Sequence, residues 1–180
     1  SCISGSRVLV HADIAEDFCN QLVNLAKKAR VGDPLDPNTH IGPMANRQHY
    51  ESVLKRIEVA EAANHKLLLD GRSACRDKGY YIGPTIFANV PNSAELAQNE
   101  VFGPVVSTEI WQNEEDVIRI ANDTVYGLAA GLWSRDVVRA MRVAEQIEAG
   151  TVYINNYFNA ATQSPVGGMK QSGYGRENGW

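Results

Sequence analysis

The last third of the chain alternates strand-like and helix-like segments, and this alternation restricts the fold more than any other feature. Apolar runs at 105–111, 129–133 and 151–154 predict strands, and amphipathic stretches at 113–121 and 136–147 predict helices between them. Strands joined through helices pair in parallel with right-handed crossovers. We therefore predict an α/β fold in which a mostly parallel sheet is flanked by helices.

The first 90 residues add further elements to this plan. Residues 8–10 predict a strand, and Asp13 with Glu16 has the spacing of a capping box at the start of a helix. Apolar residues recur at helical spacing and predict a buried face formed by Phe18, Leu22, Leu25 and Ala29. Further predicted elements are a helix at 46–63, a strand at 66–69 and short extended segments at 80–82 and 85–87. The periodicity of the 46–63 helix predicts an inner stripe of Tyr50, Val53, Leu54, Ile57 and Ala60.

The composition excludes several classes of protein. The 180 residues are 44% hydrophobic and 21% charged, which is ordinary for one globular domain. The net charge of −4 gives no general attraction to nucleic acid or to anionic membranes, and no apolar run approaches the length of a membrane helix. Three unevenly spaced cysteines favour a reduced, cytoplasmic setting without a disulfide framework, and four scattered histidines indicate no metal site.

One stretch before the 105–111 strand combines an acid, an aromatic ring and a sharp turn. Residues two apart in an extended segment point the same way, so Glu100 and Phe102 could meet one ligand together. The acid would bind hydroxyl groups and the ring would cover a flat face. Gly103 and Pro104 would then end the segment. The alternative interpretation is an ordinary surface turn.

Three other features could carry chemistry. Cys2 offers a thiol nucleophile, but no neighbouring acid or base is placed to activate it, and the alternative is a small buried residue. Asn155 and Asn156 follow a predicted strand and either donate hydrogen bonds there or form a turn. The glycine-rich tail at 165–177 lacks a phosphate-binding motif after a strand, so we interpret its glycines as allowing close chain crossings.

Taken together and in order, these motifs resemble the aldehyde dehydrogenase superfamily. The resemblance covers essentially the whole chain and rests on six segments, namely Cys2-x-x-Gly5-Ser6-Arg7, Gly83-Pro84-Thr85, Glu100-x-Phe102-Gly103-Pro104, Ala121-Asn122-Asp123-Thr124-x-Tyr126-Gly127-Leu128, Gly150-Thr151-Val152-x-Ile154-Asn155 and Pro165-x-Gly167-Gly168-x-Lys170-x-Ser172-Gly173-x-Gly175-Arg176-Glu177. The segments at 121–124 and 175–179 are also similar to the betaine-aldehyde and amino-aldehyde branch.

The resemblance implies that residues 1–180 form a single domain, a fragment of the family's catalytic domain truncated at both ends. The cofactor-binding domain and the strand that subunits exchange would lie outside it. The family oxidises an aldehyde to an acid with NAD or NADP, through a cysteine thiohemiacetal and a thioester. The expected partner is a small aldehyde, and the full-length protein is expected to be a homo-oligomer.

The resemblance also assigns roles to individual residues. Cys2 matches the nucleophile, Glu100 the residue that holds the nicotinamide-side ribose, and Phe102 the ring beside the nicotinamide. Asn155 matches a supporting asparagine. The positions expected to line the substrate tunnel are Ile3, Asn156, Ala160 and Val166.

Other parts of the family's active site precede the nucleophile and so fall outside these 180 residues. They are the general-base glutamate, an asparagine that helps to hold the oxyanion, and the glycine-rich helix start that receives the pyrophosphate. We therefore predict that the isolated chain has no measurable aldehyde dehydrogenase activity and does not bind NAD or NADP appreciably. The alternatives are an inactive relic or interaction module of the same fold, and a cysteine-dependent hydrolase or acyl transferase.

Overall fold

The computed structural model describes residues 1–74, 78–159 and 161–179, which form two compact units. The first unit is Ser6–Trp111, and the second combines Ser1–Gly5 with Gln112–Trp180. Both contain strands and helices, which confirms the α/β prediction. Cys75 and Ala160 lie outside the described residues.

The first unit is built on a four-stranded mixed sheet. Its strands are β1 (Arg7–His11), β2 (Lys66–Leu69), β3 (Thr85–Ala88) and β4 (Val105–Trp111), in the order β1-β4-β3-β2. β4 pairs in parallel with β1 and β3, as the sequence predicts, whereas β2 runs antiparallel to β3. The described residues of the connection, 70–74 and 78–84, contain no α-helix, whereas parallel neighbours are usually joined through one. This agrees with the antiparallel direction of the edge strand.

Helices cover both faces of this sheet. They are α1 (Ala15–Ala26), α2 (Arg47–Ala62) and the short α3 (Glu95–Gln98). Val105 of β4 shares one buried cluster with α2 and α3, while Thr108 of β4 faces Cys19 of α1. Residues three apart on a strand point to opposite faces, so α1 and α2 lie on opposite sides of the sheet.

The prediction for α1 is wrong in its cap and wrong for part of its buried face. The first turn, Ala12–Ile14, is a 3-10 helix, and the side chain of His11, not Asp13, accepts a hydrogen bond there. The face that meets the sheet includes Cys19, which contacts Thr108 of β4. Of the predicted inward residues, Leu22 and Ala29 are half-buried and Phe18 is exposed. Ala15 is buried, whereas Leu25 is 67% exposed.

The prediction for α2 is confirmed. The side-chain oxygen of Asn46 accepts a hydrogen bond from the backbone N–H of His49, which caps the helix. Val53, Ile57 and Ala60 form the buried stripe that the periodicity predicts.

The second unit contains a strand–helix–strand repeat. Strands β6 (Ala129–Leu132) and β7 (Thr151–Ile154) pair in parallel, and α5 (Val137–Ala144) connects them. Helix α4 (Glu114–Asn122) precedes them, and the two-residue strands β5 (Tyr126–Gly127) and β8 (Met169–Lys170) pair antiparallel. Asn113 and Asp136 cap the two helices through their side chains.

The glycine-rich tail folds back on itself, and Gly167 and Gly168 lie where two backbone segments pass close to each other. A side-chain carbon placed on Gly150 would lie 1.6 Å from the carbonyl oxygen of Gly167. Arg176 Nη1 donates to the carbonyl oxygen of Gly168, and Val166 and Glu177 exchange backbone hydrogen bonds. This confirms the close-crossing interpretation. Within the described residues, no helix combines the length and apolar character needed to cross a membrane.

Candidate functional site

Cys2 lies in an exposed turn of the second unit. The turn is closed by a hydrogen bond from the N–H of Ser4 to the carbonyl oxygen of Ser1 at 3.1 Å, and Ile3 between them is half-buried. Cys19 differs, because it is half-buried and its Sγ lies 3.8 Å from Thr108 Oγ1. Of the two described cysteines, Cys2 therefore has the more accessible thiol.

Glu100 and Phe102 lie in the first unit, in the segment that leads into β4. Both are exposed, and Val101 between them is only 9% exposed, so exposure alternates as in an extended segment. The backbone, however, is not extended throughout, because Phe102 has a φ of +57°. The expectation of a simple extended pair is therefore wrong at Phe102, which occupies the left-handed region that side chains normally avoid.

Residues of α2 hold this segment. The Nε2–H of His49 donates to the carbonyl oxygen of Phe102 at 2.8 Å. A side-chain carbon on Gly103 would lie 2.9 Å from both γ-methyl groups of Val53, so the chain passes directly over that residue. Sequence reasoning missed His49. Its spacing of four from the buried Val53 is the signal that places both on one face of α2.

Asn155 and Asn156 follow the C-terminal end of β7. Asn155 has a φ of +53°, its N–H donates to the carbonyl oxygen of Leu132, and its amide side chain bonds both the N–H and the carbonyl of Ser134 at 2.9 Å. These bonds join the ends of β6 and β7. Asn156 is exposed, and its side-chain oxygen accepts from the N–H of Tyr157 at 2.7 Å.

Four aromatic residues lie at the same strand ends, and we call them the aromatic cluster. Tyr157 is central, with ring centroids 5.0 Å from Tyr153, 5.0 Å from Phe158 and 6.3 Å from Trp133. Trp133 is 66% exposed and Phe158 56% exposed. Burial, helped by the neighbouring Tyr153, raises the pKa of the Tyr157 hydroxyl.

Val166, the last predicted lining position that the structure describes, is 42% exposed and is tied to Glu177. The candidate residues thus divide between the units, with Glu100 and Phe102 in the first and Cys2, Ile3, Asn155, Asn156 and Val166 in the second. Within residues 1–74, 78–159 and 161–179, no group of three or more His, Cys, Asp or Glu side chains could hold a metal ion.

Comparison with known proteins gives one consistent result. The aldehyde dehydrogenase family profile matches residues 1–180. A betaine aldehyde dehydrogenase from Brucella anthropi is 45% identical over 99% of this chain and 37% of its own length. The 4-trimethylaminobutyraldehyde dehydrogenase of Mus musculus is 41% identical over 99% of this chain and 37% of its own length.

Solved structures agree with these relatives. A betaine aldehyde dehydrogenase from Staphylococcus aureus in complex with NAD+ superimposes with a TM-score of 0.94 at 36% identity, covering 99% of this chain and 36% of that one. The chain therefore spans little more than a third of the length of the relatives that it matches.

Proposed function

The chain belongs to the aldehyde dehydrogenase family, and on that premise we propose that its residues serve the oxidation of an aldehyde to a carboxylic acid with NAD or NADP. The observation that carries the proposal is the exposed thiol of Cys2 at the position of the family's nucleophile. We also propose that the protein acts in the cytoplasm and as a homo-oligomer.

Cys2 supplies the covalent step. Its thiolate attacks the aldehyde carbonyl carbon, and the carbonyl oxygen takes up the negative charge before it is protonated to give a thiohemiacetal. Conversion of the thiohemiacetal into a thioester requires loss of a hydride from the same carbon, and NAD or NADP would supply the acceptor when bound. Water then opens the thioester and releases the acid and the free thiol. A thiol suits this sequence because a thioester is more easily hydrolysed than an amide.

Glu100 and Phe102 suit one end of a dinucleotide. Both side chains are exposed around the buried Val101, so a carboxylate and a ring are presented together. The carboxylate accepts hydrogen bonds from ribose hydroxyls, and the ring packs against a flat heterocycle.

The 180 residues by themselves are expected to be inactive in steady-state oxidation. In the family, the general base and one oxyanion donor precede the nucleophile, and each such contribution is worth about 10²–10⁴ in rate. The isolated chain with propanal and NAD should therefore give no steady NADH absorbance. Continuous NADH production by material freed of host enzymes would contradict this expectation.

The nucleophile can be tested without a cofactor. The Cys2 thiolate should displace p-nitrophenolate from p-nitrophenyl acetate and keep the acetyl group as a thioester. Without efficient deacylation, the expected result is a burst of about one equivalent and little further release. Peptide mass spectrometry should find the acetyl group on Cys2 rather than on Cys19 or Cys75.

Two matched variants make this test specific. Cys2→Ser should abolish the burst, and Cys19→Ser should leave it unchanged. A burst that survives in Cys2→Ser, or acetylation spread equally over the cysteines, would refute Cys2 as the nucleophile.

For the substrate, we propose an aldehyde that carries a quaternary or protonated amine. The support is the aromatic cluster, whose exposed rings at Trp133 and Phe158 can face a cation. Two of the relatives carry the names of a betaine aldehyde and a trimethylaminobutyraldehyde dehydrogenase. Ile3 and Val166 would line the rest of the path, together with Asn156 and Ala160.

Choline and its uncharged isostere 3,3-dimethylbutan-1-ol distinguish a cation site from a merely apolar one. In NMR titrations of the chain, choline should shift the signals of Trp133 and Tyr157 and the alcohol should not. Trp133→Ala should weaken the response to choline, since a cation–π contact is worth about 0.5–2 kcal/mol. Equal shifts with both ligands would contradict a cationic substrate.

A further inference from the structure

Phe102 adopts an unfavourable backbone conformation next to a donor from another element. Its φ of +57° is left-handed, and no glycine occupies the position. For a residue with a side chain this region costs about 1–2 kcal/mol. Such a conformation persists only where surrounding contacts determine it.

Several contacts hold the neighbours of Phe102 in place. Val101 belongs to the buried cluster around α2, and the carbonyl oxygen of Pro104 accepts from the N–H of Thr85 at 2.8 Å. Gly103 passes so close to Val53 that no side-chain carbon fits between them. These contacts fix the path of the chain on either side but none of them is made by Phe102 itself.

His49 contacts Phe102 directly, in two ways. Its Nε2–H donates to the Phe102 carbonyl oxygen at 2.8 Å, and the two ring centroids lie 6.4 Å apart at an angle of 48°. His49 and Val53 are four residues apart, so the same face of α2 supports both Phe102 and Gly103. The N-terminal turns of α2 therefore form one platform for this turn.

We propose that His49 is a positioning residue that holds Phe102 left-handed and so aims its exposed ring. A change of φ to the ordinary negative region would swing the Cα–Cβ bond and the ring with it. The inference rests on the proposed function in one respect, since the ring is taken to meet the nicotinamide. His49 then acts on the cofactor through Phe102.

The bond also sets the tautomer of His49. A neutral histidine carries a proton on only one ring nitrogen, and donation to a carbonyl requires that proton on Nε2. Nitrogen-15 NMR of the ring distinguishes the two tautomers in the unmodified chain. A neutral His49 protonated on Nδ1 would overturn the proposal without any variant.

Three variants test the effect on Phe102. A left-handed residue gives a strong NOE between its own amide proton and α-proton, because the two are closer than at negative φ. His49→Ala should lose this strong NOE, and His49→Gln, which can still donate from its amide, should keep it. His65→Ala, beyond the other end of α2, is the matched control and should also keep it.

The readouts separate this proposal from the proposed function. A retained strong NOE in His49→Ala would show that Val101 and Gly103 suffice, and the positioning role would be refuted. Loss of the NOE in His49→Gln as well as in His49→Ala would refute the hydrogen bond as the cause. Neither measurement involves Cys2 or a cofactor, so a failed acetylation burst would count against the enzyme assignment alone.

Discussion

Replacing Gly103 with alanine should destabilise the first unit through a single steric contact. The added carbon would lie 2.9 Å from Cγ1 and from Cγ2 of Val53, and Val53 is fully buried. A valine is stiff about its first side-chain torsion, so it cannot rotate both methyl groups away. Gly103 is not among the glycines with positive φ, so the backbone itself accepts alanine.

The net magnitude follows from two opposing effects. Overpacking a well-packed core costs about 1–3 kcal/mol. Replacing glycine at a compatible position stabilises by about 0.4–1 kcal/mol, because the unfolded chain loses freedom. We therefore expect Gly103→Ala to lower the free energy of unfolding by about 1–2 kcal/mol.

A second substitution should reverse the sign of this effect. Val53→Ala removes both methyl groups and should cost about 2–3 kcal/mol by itself, from lost burial and the remaining cavity. In that background the carbon added by Gly103→Ala enters space that the methyl groups have left. Adding Gly103→Ala to Val53→Ala should then be neutral or stabilising by up to about 1 kcal/mol.

Urea unfolding followed by circular dichroism measures the unsubstituted chain, the two single variants and the double variant. The control is Gly5→Ala, because nothing lies within 4 Å of the added carbon and its midpoint should barely change. If Gly103→Ala costs the same in the presence of Val53 and in the Val53→Ala background, the contact is not the cause and the reasoning is refuted.

Two further predictions concern an ion pair and a chain crossing. Arg72 donates to both carboxylate oxygens of Asp70, which holds the pKa of that carboxyl below its usual value. The ion pair therefore contributes fully to stability above the pKa that Asp70 has in the unfolded chain. The contribution is lost as the pH falls below about 4, through the lower pKa that Asp70 has in the folded protein. Asp70→Asn should reduce the loss of the unfolding midpoint at acid pH, and an unchanged dependence on pH would show that the ion pair with Arg72 is not the cause. Gly150→Ala should force the tail away from its crossing, because the added carbon meets a backbone oxygen at 1.6 Å. Hydrogen exchange at the N–H of Gln171, which donates to Val125, should accelerate relative to exchange in α2, and equal protection would show that the crossing tolerates a side chain.

Much of the fold follows from local patterns in the sequence. Asn46, Asn113 and Asp136 cap their helices through side chains as such residues commonly do, and the stripe of Val53, Ile57 and Ala60 is buried as its spacing predicts. Strands β4 and β7 occur at their predicted residues. In each case a few neighbouring residues carry the whole signal.

The predictions from sequence fail where contacts between residues far apart in the chain determine the structure. Periodicity in α1 fits more than one inward face, and contact with the distant β4, where Thr108 meets Cys19, selects a face that excludes Leu25. The direction of β2 depends on what connects it to β3, and the pairing of β5 with β8 involves only two residues on each strand. Such short pairings leave no periodic pattern to detect.

The candidate site shows the same limit more sharply. From its chemistry alone, Cys2 could be either a nucleophile or a small packing residue, and the structure adds that it is exposed. The role of Glu100 comes from the family resemblance. His49 could not be found from spacing to Phe102, since 53 residues separate them and only folding brings them together.

Each unit has left-handed non-glycine residues beside its candidate residues, and at Phe102 and Asn155 a side chain makes hydrogen bonds with the backbone. At Phe102 the donor is His49, and at Asn155 the residue's own amide bonds Ser134 in both directions. A left-handed asparagine is common in turns, but a left-handed phenylalanine is not. Asn155 can therefore be explained by the turn alone, whereas Phe102 and Phe158, with φ values of +57° and +63°, call for a reason beyond the turn. An exposed aromatic ring held there at a cost of about 1–2 kcal/mol is best explained by a ligand that the ring must face.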